Sequence, residues 1–136
     1  MAMNFNRLLD IARALKLHNQ TGRVFHCAMV LKSGKPIAIG TNDYNKSCQI
    51  CRTYKRWKHL YRKDYRSALH AEIAATAKIK HRAYNPAKLT LVSMRINNNG
   101  KAGNAMPCPN CSYVLGAMGY KNIFYTDTDG KFQRFP

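Results

Sequence analysis

The chain has 136 residues, a length that suits a single domain with a real hydrophobic core, here residues 1–136. Lysine and arginine number 23 against 6 acidic residues, which gives a formal net charge of +17. Because a charge so far from zero attracts polyanions, it predicts a nucleic-acid partner. There is no run of about 18 apolar residues and no apolar secretory signal, so the sequence predicts a cytoplasmic protein without a membrane partner.

The hydrophobic pattern divides the chain into helices and strands. Apolar residues recur at helical spacing from residue 4 to residue 18 and predict the first helix. Two strands follow at 23–31 and 37–40, joined by a turn at 33–36. Residues 41–66 are polar, basic and aromatic, and predict a long insertion with at most one or two helical turns. Beyond it we predict a buried helix at 68–80, a strand at 89–96, a loop at 97–107, a helix at 108–118, and strands at 122–126 and 131–135.

This order of elements predicts a layered α/β domain, because helices alternate with strands. The final two strands are separated only by the short turn at 127–130. A crossover between parallel strands needs a dozen or more residues. The final two strands are therefore predicted to pair antiparallel.

The cysteines indicate metal binding rather than disulfides. Their number is odd, five, and four of them form two Cys-x-x-Cys pairs. Cys108 and Cys111 open a predicted helix, whose N-terminus favours thiolates, and they project to one side. His70 opens another predicted helix and offers a nitrogen ligand. Three protein ligands leave the fourth tetrahedral position open for water, which is the mark of a catalytic zinc site.

Glu72 is the only glutamate in the chain. It follows His70 by two residues, so it can reach a water at the metal without binding the metal itself. A carboxyl in that position is suited to carry a proton as general acid and base.

These motifs resemble those of the cytidine and deoxycytidylate deaminase superfamily. His70-Ala71-Glu72 followed by Pro107-Cys108-Pro109-Asn110-Cys111 matches the H-x-E and P-C-x-x-C signature of zinc deaminases, and the hairpin ending in Gly40-Thr41-Asn42 is also similar. The resemblance covers roughly residues 20–126, and residues 104–111 and 125–127 look like small deaminase-like proteins of phage genomes. It implies a three-layer α/β fold with a mixed sheet of about five strands and an antiparallel final hairpin.

The resemblance also implies an activity and the residues that perform it. The chain would be a hydrolase that converts cytosine to uracil, with one zinc held by His70, Cys108 and Cys111 and with Glu72 as the acid and base. Asn42 would contact the sugar, the backbone N–H of Ala71 the pyrimidine carbonyl oxygen, and a carbonyl near Met106 the exocyclic amine. Phe25 or His26 could line the base pocket. A phage-encoded protein would work in the host cytoplasm.

Residues 46–66 form a basic aromatic segment that leads directly toward His70. Cations bind phosphates while aromatic rings stack on unpaired bases, so the segment predicts binding of single-stranded nucleic acid, with DNA favoured. The alternative is an amphipathic helix whose aromatic stripe packs inward. The residues predicted to contact nucleic acid are Arg52, Lys55, Arg56, Trp57, Lys58, Tyr61, Arg62 and Arg66.

Several alternatives remain open from the sequence. Cys48 and Cys51 could bind a second, structural zinc, or they could be two partly buried thiols. The antiparallel final hairpin resembles the nucleoside-acting branch of the superfamily and keeps a deaminase of free cytidine or deoxycytidylate possible. Adenine is also open as the target base, because the zinc chemistry is shared. A non-catalytic zinc module that binds nucleic acid would use both cysteine pairs, although their separation far exceeds the usual gap of about 15–20 residues.

Overall fold

The structure, a computed structural model, describes residues 4–18, 25–47, 68–80 and 82–135. Helices and strands alternate as the sequence predicts, so the α/β class is confirmed. The helices are α1 (Phe5–His18), α2 (Ala71–Ala77) and α3 (Pro109–Met118), and a single 3-10 turn spans Pro86–Lys88. The strands are β1 (Phe25–Lys32), β2 (Lys35–Thr41), β3 (Asp43–Ser47), β4 (Ala68–Leu69), β5 (Thr90–Ile96), β6 (Ala102–Gly103), β7 (Asn122–Thr126) and β8 (Phe132–Arg134).

The central sheet is mixed and has the strand order β2-β1-β5-β7-β8, with β6 also paired to β5. β1 pairs antiparallel with β2 and β5, whereas β5 and β7 are parallel. β7 and β8 pair antiparallel across the tight turn, as their short connection predicts. The helix α3 makes the crossover between the two parallel strands, so it begins near the carboxyl end of β5.

Helices cover both faces of this sheet, which gives the expected three layers. On one face, α1 buries Leu8, Leu9 and Ala12 against alternate residues of β1 and β5 such as Met29 and Met94. The other face carries the second core cluster, built from α2, α3 and the remaining strand residues. Burial of apolar area on both faces is the main term that favours this fold.

The structure corrects the predicted boundaries around the insertion. The turn between β1 and β2 consists only of Ser33 and Gly34, both with positive φ, so β2 begins at Lys35 rather than at residue 37. The first residues of the predicted insertion form β3, which pairs with β4 just before His70. The predicted helix at 68–80 is therefore shorter and begins at Ala71. The loop predicted at 97–107 contains β6, which is too short to leave a sequence pattern.

Gly40 allows α2 to lie directly on the sheet. A Cβ atom at this position of β2 would lie 2.3 Å from the Ala75 nitrogen and 2.6 Å from the Ala71 carbonyl oxygen. Both neighbours are backbone atoms of α2, so a rotamer change cannot relieve the clash. Glycine here fixes how closely α2, and with it the start of that helix, approaches β2.

We predict that Gly40→Ala lowers the free energy of unfolding by about 1–3 kcal/mol or more, because α2 must move away from the sheet. Denaturant unfolding followed by circular dichroism measures this. Gly116→Ala is the matched control inside α3: beyond the backbone of its own helix, no atom of the described part of the chain lies within 4 Å of the place that the new methyl group would take. There, the same substitution should stabilise the protein by about 0.5–1 kcal/mol. Wild-type stability in Gly40→Ala would contradict the close approach of α2.

Candidate active site

Two helix starts bring three metal-binding side chains together. His70 is the residue that precedes α2, and Cys108 is the N-cap of α3, with Cys111 in the first turn of that helix. Pro109, rather than Pro107, occupies the first turn of α3, where its missing N–H costs nothing. The ligand atoms of His70, Cys108 and Cys111 all lie within 4.8 Å of one another.

The three donors fit a tetrahedral zinc ion. The Nδ1 atom of His70 lies 3.1 Å from Cys111 Sγ and 3.6 Å from Cys108 Sγ. With ordinary Zn–N and Zn–S bond lengths, tetrahedral geometry requires nitrogen-to-sulfur separations of about 3.5 Å. One imidazole nitrogen and two sulfurs are also the donor types that zinc prefers. Cys111 is buried and the other two are half-buried, so one side of the cluster opens outward.

The cluster favours one thiolate. A hydrogen bond from Cys111 lowers the pKa of the Cys108 thiol, with a further contribution from His70. That same contact, together with burial, raises the pKa of Cys111. Contact with Cys108 raises the pKa of His70 against the effect of burial. A low pKa of Cys108 favours its thiolate, the form in which a cysteine binds a metal ion.

Glu72 is buried beside this cluster. Only 5% of its surface is exposed, and burial raises the pKa of its carboxyl, while His70 and a hydrogen bond with Cys111 lower it. The hydroxyl of Ser93, on β5, donates a hydrogen bond to Glu72 Oε1 at 3.1 Å. Ser93 is itself completely buried, so this hydroxyl holds the carboxylate in one orientation.

The structure separates the two aromatic candidates for the base pocket. Alternate residues of a strand point to opposite faces. His26 lies on the face of α2 and α3, and burial, with the nearby charges of Arg95 and His70, lowers its pKa to about 4. Phe25 lies in the other layer, packed with Leu8 and Met94 against α1, so its predicted place in the pocket is wrong.

The other predicted substrate contacts lie near the cluster or are exposed. Asn42 follows β2, and its side-chain oxygen accepts a hydrogen bond from the His26 backbone N–H at 2.9 Å. Ala71 is the first residue of α2, so its N–H lies outside the ladder of intrahelical hydrogen bonds. Met106 is 51% exposed, in the loop before Cys108, and its N–H donates to Asn104 Oδ1.

The predicted nucleic-acid contacts and the second cysteine pair lie outside the described residues. These are Cys48, Cys51, Arg52, Lys55, Arg56, Trp57, Lys58, Tyr61, Arg62 and Arg66. The strands β3 and β4 bring the two ends of this stretch together immediately before His70.

Two residues near the candidate site were missed by sequence reasoning. Ser93 and Arg95 belong to a strand whose alternation puts residues 91, 93 and 95 on the face of α2 and α3. Two polar residues at alternate positions, each flanked by apolar residues of the strand, are a signal that could have found them. The strand pattern does not specify the register of β5 in the sheet, which places Ser93 within hydrogen-bond distance of Glu72.

Comparison with known proteins agrees with the chemistry of this cluster. A model of the cytidine and deoxycytidylate deaminase zinc-binding region matches residues 4–127. A search of curated proteins finds no matching relative. Within the described part of the chain, no helix is both long and apolar enough to cross a bilayer.

Solved structures share the fold. Cytidine deaminase from Mycobacterium leprae is 17% identical, with a TM-score of 0.60, over 98% of this chain and 94% of that one. The enzyme from Burkholderia pseudomallei is also 17% identical, with a TM-score of 0.61, over 98% and 92%. The dCMP deaminase of cyanophage S-TIM5, solved with dCMP and dUMP, is 20% identical, with a TM-score of 0.56, over 90% and 80%. By its match to the family model, the chain belongs to the cytidine and deoxycytidylate deaminase zinc-binding family.

Proposed function

We propose that this chain is a zinc-dependent hydrolytic deaminase that converts cytosine to uracil in single-stranded nucleic acid, with DNA favoured, and that it works in the cytoplasm. The observation that carries the proposal is the only glutamate of the chain, which is buried beside one imidazole and two thiols. Burying an ionisable carboxyl is costly, so a glutamate kept there needs a chemical reason.

His70, Cys108 and Cys111 would hold the metal. A zinc ion in such a site supplies a nucleophile at neutral pH by lowering the pKa of water to about 7. Water and the base would approach from the side of His70 and Cys108, which are half-buried, whereas Cys111 is buried. This donor set accounts for one zinc, and a second at Cys48 and Cys51 has no support in the described residues.

Glu72 would carry the protons of the reaction. Water adds its oxygen to C4 of cytosine, and Glu72 takes the proton that the water loses and delivers it to the ring nitrogen N3. A second transfer through the same carboxyl moves the proton of the new C4 hydroxyl to the amino group as the C4–N bond breaks, so uracil, with a C4 carbonyl, and ammonia are released. Ser93 keeps Oε1 in place, so the carboxyl can reach water and base in turn.

The surrounding residues would orient the base and its sugar. The Ala71 N–H is suited to the pyrimidine carbonyl oxygen and a carbonyl near Met106 to the exocyclic amine. Asn42 would contact the sugar and His26 would line the pocket. The His26 ring is neutral at physiological pH, since its pKa is lowered to about 4, so it adds no charge next to the base.

The formal charge of +17 supports a polymeric substrate. A single nucleotide needs few cations, whereas a nucleic acid strand offers a row of phosphates. The basic aromatic segment would supply phosphate contacts through Arg52, Lys55, Arg56, Lys58, Arg62 and Arg66, and stacking through Trp57 and Tyr61.

Deamination of free deoxycytidylate or cytidine is the second candidate. It is supported by the antiparallel pairing of β7 and β8 and by the names of the structural neighbours, a dCMP deaminase and cytidine deaminases. The two candidates share the chemistry at Glu72 and differ only in what the cytosine is attached to.

We predict that binding to a cytosine-containing oligonucleotide weakens steeply with salt, with a slope of about −0.7 in log affinity against log salt for each phosphate neutralised. Replacing Lys55, Arg56 and Lys58 together by alanine should flatten the slope. Trp57→Ala should weaken binding while largely keeping the slope, because stacking releases no counterions. Fluorescence anisotropy at several salt concentrations measures both.

The matched control for this experiment replaces Lys35, Lys88 and Lys121 by alanine. These three residues are exposed and lie near the amino ends of β2, β5 and β7, at the end of the sheet opposite His70, Cys108 and Cys111. Their loss removes the same charge. Their removal should leave the slope nearly unchanged. Efficient turnover of deoxycytidylate, with salt-insensitive oligonucleotide binding, would reject the polymeric substrate and leave the nucleotide. A lower melting temperature in Trp57→Ala, without a specific binding defect, would mean that Trp57 packs in the core.

We also predict one tightly bound zinc per chain, lost when His70, Cys108 or Cys111 is replaced by alanine. Plasma emission spectrometry on purified, folded protein measures the stoichiometry. Cys27→Ala is the control: Cys27 is buried in the layer of α1, where burial raises its pKa to about 12, so its loss should leave the zinc in place. Folded wild-type protein without zinc would refute the metal site, and a second zinc lost with Cys48 or Cys51 would establish a second one.

A further inference from the structure

Three polar residues form a row across the sheet on the face of α2 and α3. In the register of β1 and β5, His26 lies directly opposite Arg95. Asn42 continues the row beyond β2, where it exchanges hydrogen bonds with the backbone of His26. The neighbouring row contains Gly40, Ala28 and Ser93. The polar row is therefore adjacent to the row of Ser93, whose hydroxyl donates the hydrogen bond to Glu72.

Arg95 is the unusual member of this row. Its Nε atom is buried and has no hydrogen-bond partner among the residues that the structure describes, although Arg95 as a whole is half-buried. Its backbone is fixed, because its N–H donates to Thr126 Oγ1 and that hydroxyl donates to the Gly103 carbonyl. In the described part of the chain, the only ion pair joins Arg13 and Asp10. A buried guanidinium N–H without an acceptor is unfavourable, so it calls for an acceptor from a ligand.

Arg95 is also at the correct end of the sheet. It lies two residues beyond Ser93, toward the carboxyl end of β5, and two residues of strand span about 6.6 Å. In open α/β sheets, ligands bind beyond the carboxyl ends of the parallel strands. The step from Ser93 to Arg95 is comparable with the distance between the base of a nucleotide and its phosphate.

His26 links Arg95 to the metal donors. Its ring is close enough to both Arg95 and His70 for each to lower its pKa. His26 is therefore near both Arg95 and one of the three metal-binding side chains.

We propose that Arg95 binds the phosphate of the target nucleotide, so the site selects phosphorylated cytosine substrates over the free nucleoside. The inference rests on the proposed deaminase function and adds to it the residue that reads the phosphate. A guanidinium matches a phosphate with two parallel hydrogen bonds, which fixes orientation as well as charge. Both a mononucleotide and a polymer offer this group, so the same contact serves either substrate.

The test compares dissociation constants for deoxycytidine, its 5′- and 3′-monophosphates, and a trinucleotide with a central deoxycytidine. Calorimetry on a Glu72→Gln background avoids consumption of the ligand. Without further substitution, a monophosphate should bind about 10- to 100-fold more tightly than the nucleoside. Arg95→Met, which keeps the length and loses the charge, should reduce that ratio by about tenfold or more.

Arg7→Met is the matched control. Arg7 is exposed on α1, in the other layer, and its substitution removes the same charge, so the ratio should stay unchanged. Arg95→Lys keeps the charge without the planar fork, and should retain only part of the ratio. If Arg95→Met melts at a much lower temperature than its parent, Arg95→Lys takes its place as the test of phosphate binding.

The outcomes separate the two proposals. An unchanged ratio in folded Arg95→Met, or in Arg95→Lys if Arg95→Met does not fold, would overturn the role of Arg95. Equal binding of the nucleoside, both monophosphates and the trinucleotide by the parent protein would do the same. A ratio that depends on Arg95 only for the trinucleotide supports the contact and assigns the phosphate to a polymer. Failure of the wild-type protein to release ammonia from any of these compounds refutes the deaminase function, whereas the binding ratio tests Arg95 by itself.

Discussion

The position of the site depends on the parallel pairing of β5 and β7. A crossover between parallel strands must begin at the carboxyl end of the first and finish at the amino end of the second, so α3 starts beside the end of β5. The strands β2 and β5 run in the same direction, because both pair antiparallel with β1. The helix α2 lies between them in the chain, so it also starts at this end of the sheet. Both helix starts therefore meet at one place, and they carry His70, Cys108 and Cys111 with them. Donors separated by some 40 residues become neighbours through topology alone.

The same arrangement accounts for the environment of Glu72. Gly40 lets α2 lie on the sheet without intervening side chains, which buries the residues on its lower side. Glu72 is on that side and would be an unpaired buried carboxyl without Ser93, Cys111 and His70 around it. A buried acid held by a serine and placed against metal donors is the arrangement that moving protons between water and a base requires. The packing of α2 and the proposed proton transfer thus both require Glu72 to be buried and held in one orientation.

Much of this could be predicted from the sequence, and the exceptions have physical causes. The metal donors and Glu72 stand in short motifs next to helix starts, and the short link between β7 and β8 allows only antiparallel pairing. By contrast, the pairing of β1 with β5 joins residues about 60 to 70 positions apart, and no local pattern encodes its register. Register decides which side chains share a face, so sequence reasoning puts Phe25 in the wrong layer and passes over Ser93 and Arg95. The strands β4 and β6 have two residues each and form only by pairing with β3 and β5, so neither has a recognisable pattern of its own in the sequence.

The most direct test of the central claim is the turnover number of three variants, each measured at equal zinc content on the best cytosine substrate of the wild-type protein. Glu72→Gln should lower kcat by at least about 10²–10⁴-fold, because the amide cannot carry the proton. Ser93→Ala should lower kcat by about 10-fold or more, since the carboxylate loses the hydrogen bond that orients it. Thr76→Val removes a different fully buried hydroxyl, on α2, which among the described residues donates to the Ile73 carbonyl, and should leave kcat near the wild-type value. Near-normal turnover in Glu72→Gln would contradict the account.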